Sequence, residues 1–282
     1  YKVTDATGSI SSMADWDYIS TVHDAGMEIW PLISDFTSVD ADAGWDEAKL
    51  FANTASRRNL ISNIINEIKT YGYDGINIDF EKVPSDSAVD YRQFIRELSI
   101  ECRKAGVVFS LDNYVPRPYN AQYSRDVQAE CADYVVVMGY DEHYAGGDEA
   151  GSVASIDFVT DGIDGTLKEV PKEKLINALP FYTRLWMEST DENGNVKLSS
   201  KTYSMQGALD IVAELGTGME WDEEVGQYVA FGEVDGVKYS IWLEEDESIK
   251  AKMKVVRERE LAGISGWCLG MEKPSVWDVI TE

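Results

Sequence analysis

Six short apolar runs, most followed by a stretch with helical periodicity, constrain this chain more than any other feature. The runs are Met27 to Ile33, Tyr73 to Phe80, Val107 to Leu111, Tyr134 to Met138, Leu175 to Pro180 and Gly263 to Leu269. In the stretch Ser56 to Tyr71, Leu60, Ile61, Ile64, Ile65 and Ile68 share one stripe, while Arg57, Arg58, Asn63, Asn66 and Glu67 largely avoid it. Repeated β-then-α units predict a parallel sheet covered by helices. With 282 residues, 44% of them hydrophobic, the chain can bury one large core, and an α/β barrel of about 250 residues fits as a single unit. Six strands are fewer than a closed eight-stranded barrel needs, so the expected fold class is an α/β, TIM (β/α)8-type barrel that is short of strands.

One stretch breaks the rhythm. It carries a turn at Asp191 to Gly194, a helix-like run near Met205 to Glu214, and hairpin-like pieces around Gln227 to Trp242 with the tight-turn pair Asp235-Gly236 between them. This predicts a barrel over residues 1–184 and 250–282, with a small α+β insertion over 185–249 before the last strand.

Charge narrows the partners. Fifty-one Asp+Glu against 25 Lys+Arg leave a formal charge of −26, which repels phosphate backbones and anionic lipid surfaces, so neither nucleic acid nor membrane is expected. No apolar run approaches the ~20 residues of a membrane span. Three scattered cysteines and two histidines offer no metal-ligand spacing, and there is no Gly-rich phosphate loop, so no metal and no cofactor are expected.

The chemistry is concentrated in residues 74–81, D-G-I-N-I-D-F-E. Alternation along a strand turns Asn77, Asp79 and Glu81 to one face and Asp74, Ile76, Ile78 and Phe80 to the other. The apolar set must meet the helices, so the polar set faces the barrel interior, with Glu81 uppermost at the C-terminal end, where such barrels carry their active sites. Two carboxylates at i and i+2 raise the pKa of one member, as a general acid requires. Asp74, on the wrong face, is expected to tether the turn before the strand.

These residues resemble the D-x-x-D-x-D-x-E signature of glycoside hydrolase family 18, and more closely its spore-germination branch of cortex-lytic N-acetylglucosaminidases. Further similarity lies in Met138-Gly139-Tyr140-Asp141, in Leu179-Pro180-Phe181-Tyr182 and in Gly266-Trp267, all in the family's order. The resemblance implies substrate-assisted hydrolysis, an exception to the two-carboxylate scheme. Glu81 would be the acid and base, Asp79 would hold the substrate's acetamido N–H, and Tyr140 its acetamido oxygen. Substrate contacts would come from Asn77, Asp141, Trp267, Tyr182 and Trp30, with Arg184 and Trp186 as weaker candidates for a cleft wall and His143 as a loop residue. Asn77 departs from the acid usual at that place, as the spore-germination branch does, and is expected to donate a hydrogen bond to ionised Asp79. Family barrels also place two strands ahead of Met27 to Ile33, and only Tyr1 to Val3 stands where the second would be, so the resemblance implies a barrel lacking its first strand or two.

The function implied is retaining hydrolysis of β-1,4 bonds at N-acetylglucosamine in peptidoglycan, such as spore cortex, by a monomer acting at the cell wall or spore. The polysaccharide is the expected partner. Alternatives are a chitinase, a non-hydrolytic lectin-like relative, and a conventional two-carboxylate glycosidase using Asp141 or Asp112.

Overall fold

The computed structural model describes residues 1–35 and 46–282. The chain divides into two compact units, Tyr1–Val137 with Thr166–Leu175, and Met138–Gly165 with Ile176–Glu282.

In the first unit the strands are β1 (Lys2–Val3), β2 (Ile10–Ser11), β3 (Leu32–Ser34), β4 (Gly75–Asp79), β5 (Val108–Tyr114) and the start of β6 (Tyr134–Met138). β1, β3, β4 and β5 are neighbours in that order and run parallel, and β2 pairs antiparallel with β1. Asp133 N–H then donates to Phe109 O at 2.9 Å, carrying the pattern from β5 toward β6. The helices are α1 (Trp16–Asp24), α2 (Glu47–Ala52), α3 (Thr54–Tyr71), α4 (Ala88–Ala105) and α5 (Arg125–Cys131). Lys2–Val3 thus joins the parallel set as a further strand beside those read from the sequence.

The predicted stripe on α3 is buried as a set: Leu60, Ile61, Ile64, Ile65 and Ile68 join Ile76, Ile78 and Phe80 of the β4 stretch in one core. Asn53 caps this helix by accepting from Ala55 N–H and Ser56 N–H, and Gly72 ends it in the left-handed region at φ 69°. Arg57 differs from its expected exposure. It is buried because its guanidinium meets Glu97 on α4 at 3.0 Å and donates to Phe51 O. The strand read as Met27 to Ile33 is displaced to Leu32–Ser34, where the N-terminal amine of Tyr1 donates to Leu32 O at 2.8 Å.

The second unit contains α6 (Ile156–Thr166, its last residue in the first unit), β7 (Leu175–Pro180, its first residue likewise), β8 (Tyr182–Thr190), β9 (Val196–Ser204), α7 (Met205–Leu215), β10 (Glu220–Asp222), β11 (Gln227–Val234), β12 (Val237–Leu243), α8 (Asp246–Glu258), β13 (Gly263–Trp267) and α9 (Val276–Thr281). β13 runs parallel to β7, with Trp267 opposite Pro180. A separate antiparallel sheet, in the order β10-β11-β12-β8-β9, packs Leu185, Ala230 and Ile241 against Ala208 and Val212 of α7. Asp235 and Gly236 form its two-residue turn with φ of 51° and 78°, the positive pair that a twisted hairpin favours.

Where β12 gives way to α8, Glu244 and Lys252 form a fully buried ion pair at 2.9 Å. Gln227 Nε2 and Ser248 Oγ also donate to the Glu244 carboxylate, at 2.7 and 2.8 Å, so no charge is left without a partner. Lys252→Met strands this carboxylate and is expected to destabilise the chain by about 3–5 kcal/mol, read from denaturant unfolding. Adding Glu244→Gln to that variant should recover most of the loss.

Candidate active site

β4 and β5 build the carboxylate end of the first unit. Their register sets Asn77 opposite Ser110 and Ile78 opposite Leu111. Continued one and three residues further, it brings Asp79 level with Asp112 and Glu81 level with Tyr114. Alternation sends Ser110, Asp112 and Tyr114 to the same face as Asn77, Asp79 and Glu81.

The contacts follow this pairing. Ser110 Oγ donates to Asn77 Oδ1 at 2.7 Å, and Asn77 Nδ2 donates to Asp112 Oδ2 at 2.7 Å. The amide therefore serves Asp112, not Asp79 as expected from the sequence. Neighbouring strands lie about 4.8 Å apart, whereas i and i+2 are about 6.6 Å apart along one strand, so the cross-strand acid is nearer. Asp79 Oδ1 is buried without a hydrogen-bond partner. Above it the Tyr114 hydroxyl donates to Glu81 Oε2. Asp35, just after β3, accepts from Glu81 N–H at 3.0 Å and from Lys82 N–H at 2.7 Å, which pins the backbone carrying the acid.

Crowding of these acids perturbs their protonation. Burial pushes the Asp79 carboxyl up to about 8, with Asp112, then Glu81, then Asp35 adding like-charge repulsion. Burial likewise pushes Asp112 up to about 7, against the opposing hydrogen bond from Asn77. Asp35 is also raised by burial, although its two backbone amides pull the other way. Tyr114 is raised by burial and by its bond to Glu81, so it stays a protonated donor.

A second constellation belongs to the second unit. Asp141 takes a left-handed conformation at φ 57° directly after Tyr140. The Tyr182 hydroxyl donates to Asp141 Oδ1, and the Arg184 guanidinium lies 4.0 Å from the same oxygen. Tyr140 meets the Tyr182 ring edge-on at 6.3 Å. Trp267 ends β13 with half of its surface exposed (50%), and Gly266 before it lies where a Cβ would fall 2.2 Å from the Phe181 ring. Trp186 is different: it is 2% exposed and its Nε1 donates to Gly151 O at 2.8 Å, so it is core rather than cleft wall. His143 is a loop residue whose Nδ1 bonds Ser152 O at 2.8 Å.

Two of the remaining residues lie away from the acids. Trp30 stacks on Tyr134 at 5.7 Å and presses against Gly75, at the N-terminal end of β4 and the opposite end from Glu81. Its place two residues before Leu32, which pairs with Asn77, sets that level, so Trp30 is no substrate contact. Asp74 accepts from His23 Nε2 at 3.0 Å and Ile29 N–H at 2.9 Å, tethering α1 and the approach to β3. Reasoning from the sequence passed over Asp35, Ser110 and Tyr114, and weighed Asp112 only as a second carboxylate of a conventional glycosidase. For the β5 residues the available signal was the alternating polar series S-L-D-N-Y.

An acid just beyond the C-terminal end of a parallel strand, above a second acid two residues earlier, stands where α/β barrels carry their active sites. The sequence pattern of Glycosyl hydrolases family 18 matches residues 43–272, and the chain belongs to that family. Among curated relatives, the Bacillus subtilis protein YdhD is 28% identical over 80% of this chain and 54% of its own. The cortical fragment-lytic enzyme of Bacillus subtilis is 26% identical over 80% of this chain and 53% of its own. The chain thus spans about half the length of these relatives. The solved spore cortex-lytic enzyme SleL of Bacillus cereus superposes with a TM-score of 0.87 at 19% identity, covering 99% of this chain and 65% of that one, and shares its α/β-barrel fold.

The raised Asp79 has a consequence for stability. The folded chain keeps a proton that the unfolded chain loses above about pH 4, so stability falls as pH rises from there to about 8. Asp79→Asn removes that loss. Relative to wild type the variant should gain stability across this window, at no more than about 1.4 kcal/mol per pH unit, in urea unfolding at stepped pH. Parallel stability curves for the two proteins would refute the assignment.

Proposed function

We propose that this chain is a retaining, substrate-assisted hydrolase of β-1,4 bonds at N-acetylglucosamine in peptidoglycan of the spore-cortex kind. The observation that carries the reading is Glu81 two residues beyond β4, held by the Tyr114 hydroxyl and by Asp35 through its backbone, with Asp79 one step below. The cortical fragment-lytic relative supports the substrate. Glu81 gives its proton to the glycosidic oxygen as the C–O bond breaks. The 2-acetamido oxygen of the bound sugar attacks the anomeric carbon, and an oxazolinium ion forms. Asp79, ionised, accepts from the acetamido N–H and balances the positive charge. Glu81, now a carboxylate, removes a proton from the water that opens the ring, restoring itself and giving net retention.

On the family pattern, Tyr140 binds the acetamido oxygen, Asp141 and Tyr182 contact sugar hydroxyls, and Trp267 supplies an aromatic floor. A flat exposed ring suits the C–H face of a pyranose. An insoluble glycan of this kind would be met at the cell wall or spore, and the polysaccharide is the partner that this reading requires. Among the described residues no helix is long and apolar enough to cross a membrane. Chitin-type oligosaccharides are the alternative substrate, and a lectin-like role is disfavoured by the presence of Glu81.

Incubation with purified peptidoglycan should release N-acetylglucosamine reducing ends, blocked by a thiazoline mimic of the oxazolinium ion. Glu81→Gln should lower the rate about 10²–10⁴-fold while leaving glycan binding intact. Binding without cleavage by the wild-type chain would select the lectin, and cleavage of sugars lacking a 2-acetamido group would select the conventional mechanism.

A further inference from the structure

The family signature puts an acid where this chain has Asn77, yet the missing carboxylate is not missing from the site. It stands one strand over. Asp112 Oδ2 accepts from Asn77 Nδ2 at 2.7 Å, and Ser110 Oγ fixes the other end of the amide at 2.7 Å. With both ends held, Asn77 is a rigid link whose N–H side is committed to β5. The extended register sets Asp112 beside Asp79, whose Oδ1 is buried with no protein donor.

We propose that Asp112 is a positioning residue which shares a single proton with Asp79, so that Asp79 can ionise toward a bound sugar while Asp112 stays protonated. This rests on the reading of Asp79 and Glu81 as the working pair. Between the two titration steps the balance is simple: two carboxyl groups, one proton and one negative charge, before and after the sugar binds. Asn77 can donate to Asp112 but can neither take nor give the shared proton.

Several groups in the first unit face the pair: Asp35 from the end of β3, Glu81 from β4, Tyr114 from β5, Tyr123 from the segment Pro118–Tyr123 and Tyr91 from α4. None of these is a cation, so nothing among them favours two ionised acids. Asp112 is the largest charge acting on Asp79, and both acids sit well above the ordinary carboxylate range, near 7 and near 8. Such a pair titrates in two coupled steps that belong to neither residue alone.

Carboxyl ¹³C shifts of the full chain followed against pH test this directly, on wild type, Asp112→Asn and the exchange Asn77→Asp/Asp112→Asn. In Asp112→Asn the new amide oxygen can still accept from Asn77, so the link is kept while the charge is removed. Wild type should show two coupled carboxyl titrations above pH 6. Asp112→Asn should show one, with the Asp79 midpoint lower by about one pH unit. The exchange variant, with the acid back on β4, should restore two. The acidic limb of kcat/KM on peptidoglycan should move with these midpoints. Ordinary titrations near pH 4 in wild type, or an Asp79 midpoint unmoved in Asp112→Asn, overturn the proposal. If Asp112→Asn does not fold, the wild-type and exchange titrations decide. The shifts are read without substrate. Coupled titration in a chain that cleaves no glycan would therefore refute the hydrolase reading and not the shared proton, and the reverse result would do the opposite.

Discussion

The register of two adjacent parallel strands governs the chemistry of this molecule. Because β4 and β5 are offset so that Asn77 meets Ser110, every polar side chain on the inner face of β4 has a counterpart on β5: hydroxyl with amide, acid with acid, acid with phenol. A slip by one residue would turn Ile76, Ile78 and Phe80 inward and remove all three pairs at once. The buried face that α3 and α4 impose on β4 therefore also fixes the order in which the acids stand.

Holding acids together in a chain of charge −26 requires donors, and those used here are mostly neutral. Asp35 is bound by two backbone amides, Asp112 by an amide side chain and Glu81 by a phenol. Neutral donors hold a carboxylate in place without neutralising it, so burial and mutual repulsion remain free to raise the pKa. Contrast Glu244, also buried and also hydrogen-bonded, but facing Lys252 at 2.9 Å. In the first arrangement Asp112 and Asp79 are pushed up to about 7 and about 8; in the second the Lys252 ammonium opposes the upward push of burial on Glu244.

Much of this was legible in the residues. The alternation in D-G-I-N-I-D-F-E gives the two faces of β4, the α3 stripe gives its covering helix, and Asp235-Gly236 gives the hairpin turn. What escaped reading depends on neighbours that are distant in sequence. Periodicity says which way Asn77 points but not what lies across from it, and thirty-five residues separate it from Asp112. Asp35 was invisible because it acts on the backbone of Glu81 and Lys82 and carries no motif of its own. The tryptophans show the same limit. Trp30 and Trp267 lie within apolar runs and Trp186 follows one, yet the first stacks on Tyr134, Trp267 is half exposed, and Trp186 is buried with its N–H satisfied. Only the fold separates core from surface for a ring that large.

The place of Asp112 bears on how such a site can change without losing its chemistry. If Asp79 shares its proton, it needs a nearby carboxyl to share it with, and electrostatic influence depends on distance and burial, not on which strand supplies the group. Adjacent parallel strands offer two positions at nearly equal reach, the i−2 residue of the same strand and the level residue of the next. An acid at either one meets the requirement, provided that the other becomes a neutral group able to hydrogen-bond it. Asn77 and Asp112 meet both conditions together, with Ser110 closing the chain of donors. Without the amide, Asp112 would lose the side-chain donor that Asn77 supplies at 2.7 Å; without Asp112, the amide would lose its acceptor across the strands. The two residues are therefore best understood as one device spread over two strands.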